Sequence, residues 1–205
     1  MNSLEEIAQL VRSCTDCALC HSRTQSVPGE GQDDAKVMFI GEGPGYHEDR
    51  QGRPFVGPAG QFLDELLASI GFRREDVFIA NMVKCRPPDN RDPLPSEIAA
   101  CSKYLDGQIN LLKPDLVVTL GRFSMAKFLP NESITKARGK ARKVGGLTVY
   151  PIMHPAAALH RQELRKVIEG DFKAIPGLMR KTAASREEAE APSLPPQPKQ
   201  LSMFE

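Results

Sequence analysis

Apolar and polar positions alternate along this chain in a way that divides it into strands and helices taking turns. Four short apolar runs, at 37–40, 77–83, 116–120 and 147–153, read as strands buried on both faces. Helical periodicity lies between and around them. Ser3 and Glu6 have capping-box spacing ahead of a stripe formed by Leu4, Ile7, Leu10 and Val11. Further helices are expected at 59–70, closed by Gly71, and at 96–113, with Ser96 as N-cap and Pro114 beyond the end. A shorter one is expected at 122–129, and a last one at 162–173 that extends to about 181. Strands and helices in this order predict an α/β fold: three layers, α/β/α, around a central, mainly parallel four-stranded sheet. Residues 1–181 form the expected domain, and 182–199, rich in Ala, Glu, Ser and Pro, read as a disordered linker before a final peptide at 200–205. No internal repeat is present.

Bulk properties narrow the function little. The 205 residues carry a formal net charge of +1 and are 40% hydrophobic, so any nucleic-acid signal must come from local clustering. No run is apolar enough to cross a membrane and the N-terminus does not read as a signal peptide, which predicts a cytoplasmic protein, expected as a monomer. Five cysteines, an odd number, point away from a disulfide framework and towards metal or redox chemistry.

The stretch Gly41-Glu42-Gly43-Pro44-Gly45 follows the first strand, where a glycine-rich turn often cradles a phosphate. Pro44, the early third glycine and the acids Glu48 and Asp49 do not fit a dinucleotide fingerprint, and no Lys-Ser/Thr pair makes a P-loop. Ligands of open α/β sheets bind at the carboxyl ends of strands, and there Glu42, Asn81 and His154 are expected to converge with Phe55. A carboxylate, an amide, an imidazole and an aromatic face suit a planar heterocycle better than a phosphate. Four segments, "GEGPG", "GRPFVGPAGQ", "NMVKCRPP" and "MHPAA", together resemble the family 4 uracil-DNA glycosylases, the iron–sulfur class of that superfamily. Relatives that trap their product covalently carry a basic, histidine-containing insert after the second strand. This chain has "KCRPPDNRDPLPSE" there, which resembles the turning-over enzymes.

The resemblance implies a base-excision repair enzyme that flips uracil from DNA and hydrolyses its N-glycosidic bond. It implies that Phe55 stacks on uracil, that Asn81 reads the Watson–Crick edge, and that His154 donates to O2 as charge gathers there. Gly41, Glu42 and Gly43 complete the uracil-binding set. The best-known sister family has an aspartate at the position of Gly43, so the water must be held from elsewhere. Glu42 is the first candidate; Glu48 is the second, or else walls off the 5-methyl of thymine. Cys14-x2-Cys17 and Cys85-x15-Cys101 supply four thiolates, enough for a [4Fe–4S] cluster or an all-cysteine zinc site. Thr24 stands where a ferredoxin run needs its next cysteine, and the resemblance implies one structural [4Fe–4S] cluster on Cys14, Cys17, Cys85 and Cys101, with Cys20 a bystander.

From Ser133 to Gln162 there is no acid, while Lys136, Arg138, Lys140, Arg142, Lys143 and Arg161 all fall there, a candidate phosphate-binding stripe. Leu159 is a candidate wedge for the vacated base position. The tail Gln200, Leu201, Ser202, Met203, Phe204 resembles the peptide by which bacterial repair proteins bind the sliding clamp. Two other readings stay open: an iron–sulfur protein that binds nucleic acid without catalysis, and an electron-transfer module.

Overall fold

The computed structural model describes residues 1–190. In chain order the elements are α1 (Leu4–Ser13), β1 (Glu30–Gly31), β2 (Val37–Gly41), α2 (Tyr46–Gln51), α3 (Pro58–Ser69), β3 (Phe78–Asn81), α4 (Pro95–Leu112) and β4 (Leu116–Leu120). There follow α5 (Arg122–Phe128), α6 (Ile134–Ala137), β5 (Arg142–Val144), β6 (Leu147–Ile152), α7 (Ala156–His160), α8 (Glu163–Lys173) and α9 (Ile175–Glu190). Among the described residues the sheet has six strands in the order β1-β3-β2-β4-β6-β5. The central four are the expected parallel set; β1 and β5 add antiparallel edges. Both edge strands are very short and partly exposed, so no apolar run marks them in the sequence.

The central strands are buried on both faces because helices cover both. Val37, Phe39, Ile79, Val118 and Ile152 point towards α3 and α8, where Leu63, Leu66, Leu67, Ile168 and Phe172 meet them. Phe39 stacks on Phe172 with ring centroids 5.7 Å apart. The alternate positions, Met38, Ile40, Ala80 and Val117, pack against Leu105, Ile109 and Leu112 of α4. Helix α1 lies on α4 through Ile7 and Val11, while Leu10 of its expected stripe is 41% exposed.

Three boundaries differ from expectation for visible reasons. Helix α4 starts at Pro95, not at an N-cap Ser96: Leu94 is the cap, and its N–H donates to the Glu97 carboxylate at 2.8 Å. The long C-terminal helix is two, α8 and α9, because Pro176 has no N–H and is tolerated only in a first turn. Helix α9 continues to Glu190, past Thr182, where the sequence places the start of a linker. The rest of that linker and the peptide at 200–205 lie outside the described residues. No helix among the described residues is long and apolar enough to cross a membrane.

Because β2, β3, β4 and β6 run parallel, their carboxyl ends lie at one edge of the sheet. That edge carries Gly41, Asn81, Gly121 and, two residues past β6, His154.

Candidate active site

Glu42, Gly43, Glu48, Phe55, Asn81 and His154 line one cleft at that edge. Asn81 closes β3 and is 1% exposed, yet its Oδ1 has no hydrogen-bond partner among the described residues. A buried acceptor left unpaired costs about 1–3 kcal/mol, so this oxygen is one for which a ligand donor would be strongly favourable. Gly41 lacks the atom that would close the space. A Cβ there would stand 2.3 Å from Asn81 Oδ1 and 2.7 Å from the Phe55 ring. The backbone past β2 and β3 is tied down as well, with Met82 N–H donating to Gly41 O and Val83 N–H to Glu42 O.

Phe55 is buried and adopts φ +51°, a left-handed conformation that costs a bulky residue about 1–3 kcal/mol. Its ring lies 5.5 Å from the His154 ring, with the planes 25° apart. His154 Nδ1 accepts from the Ala156 N–H at 3.1 Å, which leaves the proton of a neutral imidazole on Nε2. Burial holds the imidazole neutral, pushing its pKa down to about 4 against the opposing pull of Glu48. Beneath it, Gly121 is at φ +93°, and a Cβ there would meet His154 Cβ at 3.2 Å.

The two candidate carboxylates differ. Glu48 is fully engaged: Oε1 accepts from Val56 N–H at 2.9 Å and Gly57 N–H at 2.8 Å, and Oε2 accepts from Gly45 N–H at 3.1 Å. It buckles the glycine loop to the turn that carries Phe55. Glu42 makes no such bond among the described residues. Burial raises its pKa first, Asp92 adds to that, and Arg122 opposes it. Arg122 in turn pairs with Asp92 and stacks on Phe123.

A second pocket is bordered by Cys14, Cys17, Cys85 and Cys101 between α1 and α4, with Cys20 also on its wall. Two donors already point at its sulfurs. Lys84 N–H donates to Cys101 Sγ at 3.3 Å, and Arg23 Nη1 to Cys85 Sγ at 3.1 Å. Burial pushes the Cys101 thiol up to about 11 and raises those of Cys85 and Cys17. Among the described residues no three His, Cys, Asp or Glu side chains are arranged to hold a single ion. The two sites are joined by Lys84, a buried lysine whose Nζ donates to Asn81 O at 3.0 Å and Gln108 Oε1 at 2.7 Å.

The structure divides the basic stripe. Lys136, Lys140 and Arg161 are exposed, and Arg161 borders a shallow groove beside His154 with Arg122. Leu159 is 51% exposed on α7, the helix whose Ala156, Ala157 and His160 line the cleft. Arg138 is instead turned inward, donating twice to Asp171 at 3.0 and 2.8 Å. Arg142 faces Glu132 at 3.9 Å. Lys143 pairs in register with Thr148 near the start of β6, towards the opposite end of the sheet from His154. Sequence reasoning missed Arg23, Lys84, Gly121 and Arg122. The positive charge of Arg122 directly after the β4–Gly121 strand end was the available signal for one of them.

The family model of the uracil DNA glycosylase superfamily matches residues 28–173. A type-4 uracil-DNA glycosylase of Sulfurisphaera tokodaii is 51% identical over 185 residues, covering 85% of this chain and 84% of that one. One from Archaeoglobus fulgidus is 46% identical, covering 85% and 92%. A type-5 uracil-DNA glycosylase of Thermus thermophilus is more distant, 34% identical over 54% of this chain and 57% of its own.

Proposed function

The chain belongs to the type-4 uracil-DNA glycosylases, enzymes of base-excision repair, and we propose that Phe55, Asn81 and His154 form the pocket in which it excises uracil. The observation that carries this reading is the unpaired, buried Oδ1 of Asn81 beside an aromatic face and a neutral imidazole. Uracil flipped from the helix stacks on Phe55 and gives its N3–H to Oδ1, while the Asn81 amide donates to O4. Cytosine reverses donor and acceptor along that edge, leaving like groups facing each other. As the C1′–N1 bond lengthens, negative charge gathers on uracil O2, and the Nε2–H of His154 stabilises it. Water adds to C1′, giving an abasic site and free uracil.

Glu42 is the better of the two carboxylates for holding that water. Glu48 spends its oxygens on three backbone amides, whereas Glu42 faces the cleft with acceptor capacity left over. Oligonucleotides carrying uracil, thymine or cytosine, treated with alkali after incubation, test the function. Strand scission at uracil alone is expected; binding without scission favours a non-catalytic iron–sulfur protein instead.

The four cysteines fit a [4Fe–4S] cluster. Their pocket already supplies N–H donors to two sulfurs, and four cysteines around one pocket would supply the thiolates such a cluster needs. Held by Cys14, Cys17, Cys85 and Cys101, such a cluster would have a structural role, tying the end of α1 to α4. Lys136, Lys140 and Arg161 are the proposed phosphate contacts, with Leu159 as the wedge. Lys140→Ala should weaken DNA binding and lower the slope of log affinity against log salt by about one, with little change in single-turnover excision. Equal salt slopes in the two proteins would remove Lys140 from the interface.

Residues 200–205 are proposed as a sliding-clamp peptide, with Leu201, Met203 and Phe204 as apolar anchors and Gln200 bonding at the rim. Affinity on the order of micromolar is expected, because a short peptide loses ordering entropy on binding. Deleting 200–205 should abolish co-elution with the clamp and leave excision from a short oligonucleotide unchanged. Retained co-elution would refute the assignment.

A further inference from the structure

Phe55 is held in an unfavourable backbone conformation, and one side chain accounts for how. Arg74, 17% exposed, sits in the 3-10 turn Arg74–Asp76 that leads into β3. Its Nη1 donates to Phe55 O at 2.9 Å, and its Nη2 donates to Pro54 O. The same guanidinium is oriented from two sides, by Glu30 of β1 through Nε and by Asp64 of α3 at 3.0 Å. Arg53 pairs with Glu30 at 2.8 Å and holds that carboxylate in place. The Phe55 carbonyl also lies against α3 so closely that a Cβ on Gly60 would be 1.9 Å from it.

We infer that Arg74 is a positioning residue of the excision reaction, holding Phe55 in the left-handed conformation that presents its ring to the flipped base. The inference rests on Phe55 stacking on uracil. With φ returned to negative values the Cα–Cβ bond points elsewhere, and the ring leaves Asn81 and His154. Preventing that return requires fixing the peptide planes on both sides of Phe55. Arg74 fixes both, because a guanidinium offers several N–H donors in one rigid plane. A lysine offers one nitrogen on a flexible stem, so Arg74→Lys keeps the charge opposite Glu30 and Asp64 but cannot span the two carbonyls in the same way. Arg74 does not line the cleft; it acts through Phe55.

A double-mutant cycle separates this role from general stabilisation. Arg74→Met and Phe55→Ala are made singly and together, and single-turnover excision, inhibition by free uracil and thermal unfolding are measured. Arg74→Met is expected to slow excision roughly tenfold and to weaken uracil inhibition in parallel. In the Phe55→Ala background the same change should alter the rate by less than about twofold, since the group it acts through is gone. Arg74→Lys should fall between wild type and Arg74→Met, and it carries the test if the methionine variant does not fold. The inference is overturned if Arg74→Met slows both backgrounds equally, or if a folded Arg74→Lys protein excises and binds uracil as wild type does. Normal excision by Phe55→Ala would instead overturn the stacking role itself, and this inference with it.

Discussion

His154→Ala is expected to lower the single-turnover rate of uracil excision by about 10²–10³ while leaving DNA affinity within a fewfold of wild type. The Nε2–H faces an oxygen whose charge develops only as the glycosidic bond breaks, so its loss falls on the transition state rather than on binding. The imidazole is neutral throughout the physiological range, since burial has pushed its pKa down to about 4. Excision should therefore not decline between about pH 6 and 8 as a histidinium-dependent step would, given the ordinary value near 6.5. Stability carries the opposite signature. A histidine kept neutral in the folded chain binds fewer protons than in the unfolded one between about pH 4 and 6.5, so its contribution is complete above that window and is lost as pH falls through it. His154→Ala should flatten this part of the acid-unfolding profile. An unchanged rate in the alanine variant would remove the leaving-group role.

Cys85→Ser is expected to remove the brown colour of the purified protein and to lower its unfolding midpoint by roughly 10 °C, at about 2–4 °C per kcal/mol for a chain of this size. Cys85 lies just past β3 and Cys101 lies on α4, so without the proposed cluster α1 would be held by its packing through Ile7 and Val11 alone. It also leaves Arg23 and the Lys84 N–H without the sulfur charges they face. Because Lys84 reaches from Cys101 to the Asn81 carbonyl, excision should fall along with stability. Cys20→Ser, by contrast, should keep the colour and the midpoint. A colourless wild-type protein with one zinc per chain would overturn the cluster.

What the sequence made legible follows the length scale of the interactions. The parallel strands and α3 announce themselves because burial on both faces of a sheet leaves continuous apolar runs, and because Gly71 ends a helix at φ +81°. Asn81 and His154 were reachable because topology alone brings parallel strand ends together, whereas Phe55, in the turn between α2 and α3, was reachable through the family resemblance. Contacts made across long separations were not. Nothing near Arg74 says that its partners will be Pro54 and Phe55, twenty and nineteen residues away. Nor does the basic stripe show that Arg138 will spend its charge on Asp171, or that the register of β5 carries Lys143 away from the site. The sequence ranks Glu42 ahead of Glu48 but does not show that Glu48 spends its two oxygens on three backbone amides. The edge strands were invisible because they bury almost nothing.

The uracil-reading pocket is tested most directly by nitrogen-15 NMR of His154 during titration with free uracil. Before uracil is added at pH 7, the imidazole should be neutral with its proton on Nε2, as the Ala156 N–H to Nδ1 bond requires. Added uracil should move the Nε2–H resonance downfield as it meets O2, and the same concentration of cytosine should not. A proton on Nδ1, or a resonance that uracil leaves unmoved, would contradict the pocket.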